Sequence, residues 1–202
     1  MNEISRRNIA KNLGHSPKII WLTGLPGVGK STLANGLESE FSRLGFHVYL
    51  LDENSIQLGL NKDIQIPKEK NKEGVRRIGE VASILFDSGL IVLVSAVSPF
   101  RADRQLVINR IGESNFIEIF LDCTEEIRLD RLKKAMFGIL DQASEESFCK
   151  KFYEAPYHPD LHLRTDKEPV QDAVKKVMKY VLPTLVDDSK GDDFSHYSFI
   201  IV

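Results

Sequence analysis

The chain has 202 residues, 42 % of them apolar and 28 % charged, and its 27 basic residues stand against 29 acidic ones for a net charge of −2. At roughly 150 residues per domain, that is little more than one domain, with enough chain to bury a core and too little for two enzyme domains. The composition excludes disorder of the whole chain. The near-neutral charge gives no electrostatic footing for nucleic acid, and no apolar run approaches the roughly 18 residues a membrane span needs. Two cysteines, Cys123 and Cys149, are too few for a disulfide framework or a cysteine-based zinc site. The opening MNEISRRNIAKN lacks the apolar core of a signal peptide, so a reducing cytoplasm is the expected setting.

Residues 1–17 are polar and read as an N-terminal extension. Ile19–Leu22 is a short run of β-formers that a glycine-rich loop ends at once, which predicts a buried strand. From Ser31, the residues Leu33, Leu37, Phe41 and Leu44 recur at helical spacing, with Gly45 as the stop. His47–Leu51 reads as a second strand. Val75, Ile78, Val81, Ala82, Leu85 and Phe86 form a helical stripe ending near Gly89, and Leu90–Val97 is the most apolar run and the expected central strand. A helix over 102–111, a strand over 116–121 and a charged helix over 124–137 follow. The polar stretch 138–160 holds one short helix near Ser144–Lys151. Leu161–Leu163 is a fifth short strand, and the helix 170–181 is expected to stop at Pro183. Such alternation predicts an α/β fold with a mostly parallel sheet covered on both faces. The tail 184–202 turns from acidic to FSHYSFIIV; an added edge strand or a partly ordered extension are both open to it.

Gly24-Leu25-Pro26-Gly27-Val28-Gly29-Lys30-Ser31 fits G-x-x-x-x-G-K-[ST], and it lies between a predicted strand and a predicted helix, the context that motif requires. Glycines let successive backbone N–H groups turn inward around an anion, and the helix N-terminus adds its positive end. Lys30 is placed to reach the β- and γ-phosphates of ATP, and the Ser31 hydroxyl, followed by Thr32, to ligate Mg²⁺. An N-K-x-D base-reading motif is missing, because Asn61-Lys62-Asp63 lacks the intervening residue. A chain of this size with this loop is read as a small-molecule or nucleotide kinase.

The order of motifs resembles the adenylylsulfate kinase family, whose members phosphorylate the 3′-hydroxyl of adenosine 5′-phosphosulfate (APS). The resemblance is carried by WLTGLPGVGKSTLANGLE, YLLDENSIQLGLN, VRRIGEVASILFDSGLIVLVSAVSPFRADRQLV, FIEIFLDC and FYEAPYHPDLHL, which span about 18–182. It implies a P-loop kinase fold with a doubly wound five-stranded sheet over 18–183, a lid over about 132–158, MgATP as donor and a homodimer. By resemblance Arg131 stacks at the donor adenine, and Val97, Ser98, Pro99, Phe100 and Arg101 line the phosphoryl-acceptor site.

The departures fall on the acceptor side. Where the family has Asp-Gly-Asp-Asn-x-Arg, this chain has Asp52-Glu53-Asn54-Ser55-Ile56-Gln57. Asp52 survives as a carboxylate for Mg²⁺ or the acceptor hydroxyl. Asn54 replaces the second carboxylate, and an amide is no general base at neutral pH. Gln57 replaces an arginine suited to an anionic substrate. The stacking aromatic is Ile66, the next acceptor-binding arginine and asparagine are Asn71 and Gly74, and Arg76 and Arg77 remain. The lid motif is shortened to Arg131-Leu132-Lys133-Lys134-Ala135, where Lys133 and Lys134 are either phosphate contacts or a solvated helix face. Ser98 is read as an acceptor-site residue against a turn serine before proline. The expected catalytic groups are thus Lys30, Asp52 and Ser98. The phosphoryl acceptor is APS or a related small nucleotide-like molecule bound through Asn54, Gln57, Arg76, residues 97–101 and Lys134. A kinase of a different small acceptor and a nucleotide-binding pseudokinase are the competing readings.

Overall fold

A five-stranded sheet in the order β2-β3-β1-β4-β5, parallel at every pairing, forms the centre of the molecule. The computed structural model describes residue 9 and residues 12–64, 70–135 and 142–185. In chain order the elements are β1 (Lys18–Thr23), α1 (Lys30–Arg43), β2 (Val48–Asp52), α2 (Glu53–Leu58), a π-helical turn (Lys70–Gly74), α3 (Val75–Asp87), β3 (Ile91–Ser95) and α4 (Arg101–Ile111). A 3₁₀ turn (Glu113–Asn115), β4 (Phe116–Asp122), α5 (Glu125–Ala135), α6 (Gln142–Phe152), β5 (Leu161–Arg164) and α7 (Val170–Leu185) complete them. Among the described residues no helix is long and apolar enough to cross a membrane. The proposed tail, most of the N-terminal extension, Ile66 and the middle of the lid at 136–141 lie outside the described residues.

Strands buried on both faces explain the continuous apolar runs. On one face Ile20, Leu22, Leu93, Ile119 and Leu163 pack against Leu33, Leu37 and Phe41 of α1 and Val177, Val181 and Leu182 of α7. On the other, Ile19, Trp21, Val92 and Val94 pack against Val75, Ile78, Ala82 and Phe86 of α3 and Val107 and Ile111 of α4. Side chains of this size each contribute about 1.5–3 kcal/mol when fully buried, so the two layers together fix the sheet.

The helix stops follow local chemistry. After α1, Gly45 takes φ +82°, its N–H donates to Ser42, and the Phe46 N–H reaches back to Phe41. The rings of Phe41 and Phe46 then meet edge to face at 5.9 Å. This is a Schellman stop with its apolar contact, and Gly89 repeats the bonding after α3. The expected stop at Pro183 is corrected: α7 runs through it to Leu185. Pro183 faces solvent, while Leu182 and Leu185 are buried in the core. Their burial, together with the Ser16 N–H donated to the Leu185 carbonyl at 2.7 Å, carries the helix past the missing backbone donor. The expected strand over 90–97 is shorter, because after Ser95 the chain leaves the sheet to form a loop. The short helix expected near 144–151 extends over Gln142–Phe152.

Two loops leave the C-terminal ends of neighbouring strands and diverge. The loop after β1 enters α1 on one face, and the loop after β3 enters α4 on the other. Their parting opens a crevice at the strand ends, the place where open α/β sheets bind ligands.

Candidate active site

The β1–α1 loop holds the glycine-rich motif, and its glycines are required by close approach. A Cβ on Gly24 (φ +151°) would lie 2.4 Å from the Leu121 carbonyl oxygen. One on Gly27 (φ +86°) would lie 2.8 Å from the Arg128 carbonyl oxygen and from Leu132. The loop is therefore wedged between β4 and α5, with Val28 buried beneath it. The Lys30 ammonium, on a residue only 8 % exposed, lies across the loop and donates to the Gly24 carbonyl at 2.9 Å and the Leu25 carbonyl at 3.2 Å.

One turn into the site, the Ser31 hydroxyl donates to Asp52 Oδ2 at 2.6 Å and lies 3.4 Å from the Ser95 hydroxyl. Sheet register produces this cluster. Asp52 is opposite Ser95, and Ser95 is opposite Leu22, so the ends of β2, β3 and β1 form one row beneath the start of α1. The other Asp52 oxygen accepts the Asn54 N–H at 3.0 Å and caps α2. Glu53, the next residue, accepts the Val97 N–H at 2.7 Å.

The β3–α4 loop is the second wall. Ser98 has φ +41°, and among the described residues it is the non-glycine residue recorded at positive φ. Its hydroxyl is fully buried, accepts the Trp21 Nε1–H at 2.9 Å and donates to Thr23 Oγ1 at 3.1 Å. Arg104 of α4, 2 % exposed, fastens the loop: it donates to Glu118 at 2.6 Å, to the Ser98 carbonyl at 2.6 Å and to the Glu154 carbonyl at 3.0 Å. The Glu154 N–H in turn donates to the Pro99 carbonyl, the Glu154 carboxylate caps the Arg101 N–H, and Arg101 donates to the Ala155 carbonyl. The Arg101 guanidinium lies 3.8 Å over the Tyr157 ring. Tyr153 meets Thr23 Oγ1 at 3.0 Å, and burial pushes its phenol up to about 12.

Helix α5 covers the outer side of the phosphate loop. Arg128 is 1 % exposed, paired with Glu125 and Glu146, and donates to the Pro26 carbonyl at 3.1 Å. Arg131 donates to Thr165 Oγ1 and to the Thr165 carbonyl, both at 2.9 Å, beside Gly29. Phe148 of α6 packs edge to face on Phe100 and against Phe152, so an aromatic cluster borders the Ser98–Arg101 loop.

The structure thus brings together Gly24–Thr32, Asp52, Val97–Arg101 and Arg131. It does not bring every expected residue inward. Lys134 is 76 % exposed and paired with Asp130 at 2.6 Å. Asn54 is exposed. Arg76 is bound to Glu73 at 2.7 Å, and Arg77 to Glu73 and Asp63. The two arginines hold the Glu73 carboxyl down to about 2. Gln57 donates to the Asn61 carbonyl, and its own amide oxygen is buried without a partner. Pattern reading missed Glu53, Arg104, Arg128 and Thr165. Arg104 and Arg128 carried one usable signal: each is a lone arginine on the buried side of its helix, where a paired charge is the only stable arrangement.

A parallel α/β sheet with this loop, a buried lysine across it and a hydroxyl–carboxylate pair at the neighbouring strand ends defines a P-loop kinase. The sequence model of the family described as Adenylylsulphate kinase matches residues 16–164. The chain is 37 % identical over 187 residues to an adenylyl-sulfate kinase of Aeromonas hydrophila, covering 91 % of this chain and 95 % of the relative. It is 42 % identical over 166 residues to the bifunctional enzyme NodQ of Rhizobium meliloti, which covers 80 % of this chain and 25 % of that enzyme. In three dimensions it is similar to the Mycobacterium tuberculosis APS kinase CysC in complex with AMPPNP and APS, with TM-score 0.70, 27 % identity, and coverage of 83 % of this chain and 98 % of that one. The chain belongs to the adenylylsulfate kinase family, and is a kinase by that membership.

Proposed function

We propose that this chain transfers the γ-phosphoryl group of MgATP to a hydroxyl of a small nucleotide-like acceptor, with the 3′-hydroxyl of APS as the first candidate. The observation that supports this most is the convergence of Lys30, Ser31 and Asp52 over the row formed by the ends of β2, β3 and β1. Lys30 exchanges its two carbonyl partners for β- and γ-phosphate oxygens, and the loop backbone orients the chain of phosphates. The hydroxyl of Ser31 and the carboxylate of Asp52 are hard oxygen donors, a set that fits Mg²⁺, which keeps several of its waters and takes few protein ligands. When bound with ATP, Mg²⁺ neutralises charge on the β- and γ-phosphates. Arg131, fixed between Thr165 and the loop, flanks the donor nucleotide. Phosphoryl transfer depends chiefly on positioning and charge neutralisation, so the replacement of a second carboxylate by Asn54 does not by itself remove turnover.

Acceptor binding belongs to Val97–Arg101 and the aromatic cluster of Phe100, Phe148 and Phe152, whose planar faces suit a nucleoside base. In this reading Ser98 holds the loop rather than reacting, since its hydroxyl is committed to Trp21 and Thr23. A second reading, a kinase of a different small acceptor, is favoured by the pairing of Arg76 and Arg77 with carboxylates, which leaves less positive charge for a sulfated anion. We place the protein in the cytoplasm, and we propose a homodimer, whose mass light scattering on the purified chain tests. The deciding experiment is ADP release from MgATP with and without APS, with mass detection of the product. APS-dependent release of ADP with a product heavier by one phosphoryl group supports the first reading. ATP binding without APS-dependent turnover overturns it and favours the second.

A further inference from the structure

The ladder between β2 and β3 ends at Asp52 and Ser95. Beyond it β2 turns into α2, because Asp52 accepts the Asn54 N–H and starts the helix. On the β1 side, the β3 chain is still held by the Ala96 N–H, which donates to the Leu22 carbonyl at 3.2 Å. The next N–H, that of Val97, no longer has a strand of β2 to pair with, and a buried N–H without a partner is costly. Glu53 supplies one: its Oε2 accepts that N–H at 2.7 Å. The Val97 carbonyl accepts the Thr23 hydroxyl at 2.8 Å. The peptide groups of Val97 are therefore tied on both sides, to the first residue of α2 through Glu53 and to β1 through Thr23.

The following residue, Ser98, sits at φ +41°. A left-handed conformation costs a non-glycine residue free energy, and it persists only where the surroundings over-determine it. The Glu53 tie is one of the bonds that do so. It bears a charge, and a carboxylate accepting a backbone N–H is among the stronger neutral-to-ion hydrogen bonds. Its position is specific to this chain's sequence. Asp52 is occupied by Ser31 and the helix cap, and Asn54 is exposed, so Glu53 is the acidic side chain of this turn that meets the loop.

We propose that Glu53 is a positioning residue for the phosphoryl acceptor: its carboxylate anchors the Val97 N–H and so sets the Val97–Arg101 loop against which the acceptor docks. The functional half of this inference rests on the reading of that loop as the acceptor wall. The test compares wild type, Glu53→Ala and Glu53→Gln by two measurements. The first is hydrogen exchange of the Val97 amide, which needs no substrate. The second is steady-state kinetics with MgATP and APS, after thermal melts confirm that each variant folds.

In Glu53→Ala, Val97 exchange and the KM for APS both rise roughly 10- to 100-fold, the size expected for loss of a hydrogen bond to a charged group. The KM for ATP and kcat stay within about threefold of wild type. Glu53→Gln, whose amide oxygen can accept the same N–H, restores both. Unchanged Val97 exchange in Glu53→Ala overturns the anchor. A loss confined to kcat, equal in the Gln and Ala variants, overturns positioning and assigns the charge itself to the reacting atoms. Wild-type protein that neither binds nor phosphorylates APS overturns the acceptor assignment instead, and Val97 exchange in the three proteins still decides the anchor.

Discussion

The indole Nε1–H of Trp21, in the middle of the sheet, donates to the Ser98 hydroxyl at 2.9 Å. A serine at the mouth of the crevice is thus turned into the core and holds the loop to β1. Ser98→Ala leaves the buried Trp21 N–H without its partner, at a cost of about 1–3 kcal/mol. Turnover at saturating substrates is expected to stay within a few-fold of wild type. Urea titration and an ADP-release assay on the same preparation check both halves. Normal stability with abolished turnover would return Ser98 to the reacting groups.

Arg104 joins three segments at once, through Glu118 on β4, the Ser98 carbonyl and the Glu154 carbonyl. Arg104→Met keeps most of the stem volume but leaves the partly buried Glu118 without its partner. Breaking a buried pair on one side costs about 3–5 kcal/mol, and Arg104→Met combined with Glu118→Leu is expected to recover part of it. Denaturant midpoints for the two single variants and the double variant give the coupling directly.

How much of this was legible in the sequence depends on the reach of each signal. Period and stop signals are local, so the five strands and the stops at Gly45 and Gly89 could be read from neighbouring residues. The phosphate loop is equally local, because eight consecutive residues carry it. Helix α2 has no buried residue and therefore no apolar stripe to read, and Pro183 was overridden by the tertiary burial of Leu182 and Leu185. The partners of the buried arginines were hidden for another reason. Arg104 meets Glu118 and Glu154, and Arg128 meets Glu146 and Pro26, and such pairings are set by sheet order and by where the chain returns after α6. The same holds for Glu53 and Val97, which are 44 positions apart and are brought together only by β2 and β3 lying side by side.

The contact between α5 and α6 should be acid-sensitive. Hydrogen bonds from Arg128 and Lys150 hold the Glu125 carboxyl down from an ordinary 4.5 to about 2. A group whose folded value is depressed stabilises the fold fully above its unfolded value and loses that contribution as pH falls toward the folded one. The expected window is therefore between pH 4.5 and 2. Glu125 is well exposed, so the effect is modest and screened by salt. Urea midpoints of wild type and Glu125→Gln should differ at pH 6 and converge as the pH falls through this window. A constant difference between the two proteins would sink the assignment.

Asp52 carries two tasks through two different oxygens, and they can be separated. Oδ1 caps α2 through the Asn54 N–H, while Oδ2 holds the Ser31 hydroxyl. Asparagine is as good a cap as aspartate, so Asp52→Asn should change stability by less than about 1 kcal/mol, whereas Asp52→Ala loses the cap at a cost of about 1 kcal/mol. Both variants remove the negative charge beside Ser31. Loss of such a preorganised electrostatic group is expected to lower kcat roughly 10²- to 10³-fold, with the demand for Mg²⁺ shifted to higher concentration. Thermal melts with turnover measured across a Mg²⁺ titration check this. Should Asp52→Asn match wild type at all Mg²⁺ concentrations, Asp52 is a helix cap alone, and the hydroxyl of Ser31 must serve the metal without it.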